Sequence, residues 1–154
     1  MKIGELANLS ATPVETIRYY EREGLLPPPG RSQGNFRMYE AGHLERLQFI
    51  RYCRSLDMSL DEVRVLLKFH DAPEESCGEV NALLDEHIGH VARRVRELRA
   101  LERQLRQLRR RCASARSAQE CGVLSGLQEA AQERPPAAGK ARSHLRPVHP
   151  PKGV

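Results

Sequence analysis

The chain has 154 residues, four cysteines and no tryptophan, which bounds it to one or two small domains and excludes a large multidomain enzyme. No apolar run is long enough to span a bilayer, and the opening MKIGELANLS lacks the charged-then-apolar profile of a signal peptide. The expected setting is therefore the cytoplasm, with reduced thiols and no membrane partner. Net charge is only +5, and residues 1–70 hold ten Lys or Arg against nine acids, so charge alone gives weak support for nucleic-acid binding.

Residues 3–9 place Ile3, Leu6 and Ala7 at helical spacing. The run Ser10-Ala11-Thr12-Pro13 breaks that helix and starts another, with Thr12 as the expected N-cap, Pro13 at the first helical position and Glu15 closing a capping box. The second helix packs Val14 and Ile17 inward and ends at Gly24. Two short helices joined by a four-residue turn read as helix-turn-helix, although spacing alone leaves a plain helical hairpin equally open. By helical angle Thr16 and Tyr19 face outward, Arg18 lies nearer the packed face, and Tyr20 is expected to pack against the next element.

That element, LLPPPGRSQGNFRMY, excludes helix and places Gly34-Asn35 where a hairpin turn belongs. Arg31, Asn35, Arg37 and Tyr39 gather on it, as on a wing that touches phosphates or a minor groove. A helix over 41–56 follows, with Leu44, Leu47, Ile50 and Leu56 inward and Cys53 as a small core residue. Ser59 with Glu62 then caps a helix whose packed side is Leu60, Val63, Leu66 and Leu67, and Asp71-Ala72-Pro73 ends it.

Residues 77–112 read as one long helix in heptads. Cys77, Leu84, Val91, Leu98, Leu105 and Cys112 share one position, and Val80, His87, Arg94, Leu101 and Leu108 share the position three residues on. At 1.5 Å per residue the two end cysteines are roughly 50 Å apart, so they meet only across two chains packed antiparallel. Charge favours that pairing: residues 71–90 carry six acids and no Lys or Arg, while 91–116 carry ten Arg and two Glu. Cys112 and Cys121 bracket a small loop, and with Cys77 from a second copy three thiolates converge at each end of a homodimer. Sulfur ligands select soft or borderline ions: three suffice for Hg(II) or Pb(II), whereas Cd(II) and Zn(II) want a fourth donor. His87 and His90, at i and i+3, are candidate secondary metal ligands, and His87 also reads as a polar residue fixing register. The pair Arg94 and its copy near the centre needs Glu97 or solvent to relieve it. No nucleophile–base pair or phosphate loop appears, so no enzyme is expected.

The ordered motifs Ile3-Gly4-Glu5-Leu6-Ala7, Glu15-Thr16-Ile17-Arg18-Tyr19-Tyr20-Glu21, Gly24-Leu25-Leu26, Asn35-Phe36-Arg37-Met38-Tyr39 and Met58-Ser59-Leu60-Asp61-Glu62-Val63 resemble the MerR family of transcriptional regulators, over roughly residues 1–121. The resemblance implies a mainly α fold, a winged helix-turn-helix domain joined to a long antiparallel dimerisation helix. It implies a homodimer on double-stranded promoter DNA whose recognition elements are spaced too widely, with ligand untwisting and bending that DNA for RNA polymerase. Arg18, Tyr19, Arg37 and Tyr39 match positions that hold the operator.

The resemblance also narrows the ion. Copper-type members lack a cysteine at the position of Cys77, and zinc-type members tend to carry a further Cys or His where Ala113, Ser114 and Ala115 stand. The lead- and cadmium-responsive branch fits best, on Asp57-Met58 and on Ser76-Cys77-Gly78 running into Asn81-Ala82-Leu83, with mercury open. The expected activity is activation of metal resistance genes when Pb(II) or Cd(II), or else Hg(II) or Zn(II), fills the Cys77, Cys112 and Cys121 site. A thiol-based redox sensor, or a coiled-coil interaction protein with structural zinc, are the alternatives. The expected domains are 1–70 for DNA, 71–76 as linker, 77–112 for dimerisation and 112–132 for the metal loop and short helix. Over 133–154, proline, glycine and basic residues without periodicity predict a disordered tail holding His144 and His149.

Overall fold

The computed structural model describes residues 1–115 and 117–133; most of the tail expected over 133–154, with its two histidines, lies outside them. Contacts divide the chain into two units, Met1–Asp85 and Glu86–Val154. No helix among the described residues is long and apolar enough to cross a membrane.

In the first unit, α1 (Ile3–Ser10) and α2 (Val14–Arg22) form the helix-turn-helix. Ala11 closes α1 in the left-handed region, donating its N–H toward Ala7 and Asn8. The capping box expected at Thr12 does not form: Pro13 is the N-cap, no side chain caps α2, and Thr12 Oγ1 donates back to Ser10 O at 3.2 Å. Glu15 instead pairs with Arg18 at 3.2 Å. Beyond α2, Gly24 takes φ +72°, a conformation that costs a side-chain-bearing residue dearly. The chain then turns so that Leu25 and Leu26 N–H both reach Tyr20 O, at 2.9 and 3.2 Å, and both leucines are buried.

A two-stranded antiparallel hairpin follows, β1 (Gly30–Arg31) and β2 (Arg37–Met38), with Gly30 opposite Met38 and Arg31 opposite Arg37. Its tip is closed by Ser32 N–H to Phe36 O and Asn35 N–H to Ser32 O, each 2.9 Å. Asn35 sits at φ +63°, which asparagine tolerates better than most residues. This is the wing.

Helices α3 (Ala41–Ser55) and α4 (Leu60–His70) complete the unit. One apolar cluster joins Leu6, Ile17, Leu26, Tyr39 and Leu47; a second joins Leu25, Ile50, Cys53, Met58, Val63 and Leu67. Tyr20 packs against both clusters, so it bridges the core more widely than a wing contact alone. Cys53 is a core residue as expected, and burial pushes its thiol up from the usual range. Leu56 departs from expectation: it is the C-cap of α3, just past the last helical residue, and is 45 % exposed. The Ser59–Glu62 capping box is present in both directions, at 2.9 and 3.1 Å. Arg46 ties the unit together, donating to Leu25 O at 2.6 Å and to Asp71 Oδ1 at 2.7 Å.

Helix α5 (Gly78–Arg110) runs 33 residues, about 50 Å at 1.5 Å per residue. Cys77 precedes its first residue and Cys112 follows its last by two, so both lie outside the helix. Exposure along α5 is uneven. His87 is buried, whereas Ile88 is 62 % and Val95 39 % exposed beside Leu84 and Val91. The outward apolar stripe therefore follows Leu84, Ile88, Val91, Val95 and Leu98, then steps by three to Leu101, Leu105 and Leu108. Arg94 is paired with Glu97 at 3.0 Å, the relief its charge requires. A 3-10 turn at Ala118–Glu120 and helix α6 (Gly122–Glu133) close the second unit.

Candidate nucleic-acid interface and thiol site

The proposed reading helix is short and rigidly seated by Ile17, which is fully buried. Thr16 is half-buried, and Arg18 and Tyr19 are exposed. Arg18 thus faces water rather than the packed side, steadied by Glu15 one turn back. Arg22 places its guanidinium 5.9 Å from the Tyr19 ring centre, a cation over an aromatic face.

On the wing, Arg31 and Asn35 are exposed and Arg37 half-buried. Arg31 Nη1 donates to Asn35 O at 3.0 Å, which holds the turn from within. Tyr39 is different from the position expected of a DNA contact. It is 2 % exposed, and its hydroxyl donates to Glu21 Oε1 at 2.5 Å. Its backbone pairs with Met1 in both directions, accepting from Met1 N at 2.7 Å and donating to Met1 O at 2.8 Å. Burial, then the hydrogen bond to Glu21, push the phenol up to about 12. Arg37 Nε approaches the other Glu21 oxygen at 3.8 Å. Glu21 therefore couples α2 to the wing, and Tyr39 stands buried between them. Lys2, far from the wing in sequence, places its Nζ 5.8 Å from the Phe36 ring centre. Only a fold that brings the chain's start to the wing reveals that pairing.

The thiol site forms within the second unit around the end of α5. Arg109 Nη1 donates to Cys112 O at 2.8 Å, and Cys112 Sγ donates to Ser114 O at 3.2 Å. The loop returns through the 3-10 turn to Cys121, whose carbonyl accepts from Ser125 N–H at 3.1 Å as α6 begins. The Leu124 amide, then the Val123 amide and the neighbouring Cys112 side chain, favour the Cys121 thiolate over the opposing effect of burial and hold its thiol below the usual range. Two sulfurs are thus brought together by one chain, and Cys77, at the far end of α5, is not among them.

Gly122 and Gly126 seat α6 closely against Arg111. A Cβ at Gly122 would lie 2.5 Å from Arg111 O, and one at Gly126 would lie 2.6 Å from Arg111 Nη1 and 3.2 Å from Leu108 Cδ2. His87 and His90 stand edge to face with ring centres 6.3 Å apart, and His90 Nε2 lies 3.8 Å from Glu86 Oε1.

A two-helix reader with a hairpin wing, followed by a long helix, defines a winged helix-turn-helix DNA-binding regulator. Residues 1–69 match the model of the MerR HTH family regulatory protein, and residues 44–108 match that of the MerR DNA-binding region. The chain belongs to the MerR family of transcriptional regulators; it is not an enzyme. It is 53 % identical over 98 residues to a ZntR homolog, an HTH-type transcriptional regulator of Haemophilus influenzae, covering 64 % of this chain and 73 % of that one. It resembles the crystal structure of the transcription regulator PbrR691 from Ralstonia metallidurans CH34 in complex with lead(II). That likeness has a TM-score of 0.72 at 58 % identity, over 82 % of this chain and 98 % of the other. A mercury(II) complex of the dual function regulator MerR from Bacillus megaterium MB1 matches with a TM-score of 0.65 at 30 % identity, over 83 % and 99 % of the two chains.

Proposed function

We propose that this protein is a cytoplasmic metal-responsive regulator that binds promoter DNA as an antiparallel homodimer. In this reading it activates metal resistance genes for RNA polymerase when Pb(II) or Cd(II) binds. The observation that carries the reading is the convergence of Cys112 and Cys121 at the end of α5, with Cys77 about 50 Å away along that helix. Two thiols from one chain and Cys77 from a second copy make a soft three-sulfur set, which suits a large divalent ion and rejects Mg²⁺ or Ca²⁺. An ion there supplies a bond shared by both chains. The apolar stripe on α5 supplies the seam, and the acidic start and basic end of that helix favour antiparallel packing. The lead complex of a 58 % identical regulator supports Pb(II) among the soft ions.

Thr16, Arg18 and Tyr19 on α2, with Arg31, Asn35 and Arg37 on the wing, are the residues proposed to meet the operator. A filled site that touches both chains changes the angle between the two DNA-binding heads. The test is a mixed dimer of Cys77→Ser and Cys112→Ser chains, followed by Pb(II)–thiolate absorbance. One intact site per dimer is expected, while neither homodimeric variant keeps one. Loss of all binding in the mixed dimer rules out ligands drawn from two chains. A reporter assay across Pb(II), Cd(II), Hg(II), Zn(II) and Cu(I) then ranks the inducers, and induction by peroxide alone points to the redox alternative.

A further inference from the structure

Phe36 is 65 % exposed at the tip of the wing, and a ring left in water forgoes about 1.5–3 kcal/mol of burial. The residue is nevertheless held firmly. Its carbonyl accepts from Ser32 N–H at 2.9 Å, and its own N–H donates to Ser32 Oγ at 3.2 Å. The bare Gly34 leaves room for the ring, since a Cβ there would lie 3.0 Å from Phe36 Cε2. A cation stands beside it, Lys2 Nζ at 5.8 Å from the ring centre, and Arg31 and Arg37 face each other across the strands below the turn.

An ordered apolar ring beside a cation matches a surface made of sugars and base edges between two rows of phosphates. We propose that Phe36 is a DNA-contacting wedge of the wing, packing on deoxyribose and base edges in the minor groove while Lys2 pairs with a flanking phosphate. The wedge rests on the DNA-binding reading of the wing and adds to it an apolar, sequence-sensitive contact. Such a ring favours steps that open easily, so it sets preference at flanking positions that no hydrogen bond reads.

The two kinds of contact separate by salt. A phosphate contact contributes to the slope of log affinity against log salt, and an apolar contact does not. The full chain is used to select a duplex from a random-sequence pool, and affinities for it are measured over a range of salt. Phe36→Ala is expected to weaken binding about tenfold with the slope unchanged, and Phe36→Leu to restore most of it. Arg31→Ala is expected to reduce the slope by about one. Because the ring is exposed, thermal unfolding of Phe36→Ala should match the parent within error.

Equal affinity of Phe36→Ala and parent overturns the wedge, as does a loss accompanied by a changed slope. Unchanged affinity with lost transcription also overturns it and assigns Phe36 to a protein contact. Failure of the parent chain to select any duplex removes the DNA-binding reading itself, a result distinct from each of these.

Discussion

Single residues show where local strain and tertiary bonding override sequence habit. Ala11 holds φ +48° at an exposed helix end, where a Cβ is unfavourable and glycine is not. Ala11→Gly should stabilise the protein by about 0.5–1 kcal/mol, read as a higher urea midpoint at fixed chain concentration; a lower midpoint contradicts the strain. Tyr39 shows the reverse, a residue recruited by the fold. In a two-residue strand no alternation exists to reveal that it points inward, and its partner Glu21 stands 18 positions away. Tyr39→Phe removes that hydrogen bond and should cost about 1 kcal/mol. The phenol titrates near 12 in the fold against about 10 in the unfolded chain. Stability from the protonated hydroxyl is therefore intact below pH about 10 and lost as pH climbs toward 12. The parent should lose more stability than Tyr39→Phe across that window; parallel curves would show that the hydroxyl has no such role.

At the scale of elements, local codes were legible and tertiary seats were not. Ser59 and Glu62 spell a capping box within four residues, and it forms; Ser59→Ala should lower stability by about 1 kcal/mol. Thr12 and Glu15 spell the same box, but Thr12 Oγ1 bonds to Ser10 O inside a tight turn that leaves α2 no side-chain cap. The loop between Cys112 and Cys121 could be read from spacing, whereas the seat that shapes it could not, because Gly122 and Gly126 meet Arg111 only once α6 has folded back. Their contacts differ in kind. Gly122 faces a backbone oxygen that cannot move alone, and Gly126 mainly faces the end of a flexible arginine. Gly122→Ala should weaken Pb(II) binding at least about tenfold and Gly126→Ala less, in absorbance titrations; the reverse order would show that α6 does not shape the site.

For the whole molecule, the family and its architecture were written in long ordered motifs, but the register of association was not. Heptad counting from Cys77 placed His87 and Arg94 on the outward seam. In the folded chain His87 is buried while Ile88 and Val95 are exposed, which makes the latter two candidates for the seam. Ile88→Asp with Val95→Asp should raise the dimer dissociation constant at least about tenfold, with helicity of the chain retained. Sedimentation equilibrium measures it, and an unchanged constant would return the seam to the His87 side.

Amide donors at the start of α6 act on Cys121 before any ion arrives. Its thiol is held below the usual range, first by the Leu124 amide and then by Val123 and Cys112, so it gives up its proton more readily than an unassisted thiol. In the proposed three-sulfur site an ion must displace the protons of its thiol ligands, and the start of α6 eases that step at one of them. Apparent affinity is expected to rise with pH as those protons are released, and a flat profile contradicts thiolate capture. Competition titrations with Pb(II) across a pH series measure that slope directly. The turn into α6 thus readies one sulfur for the ion before the second copy supplies its own.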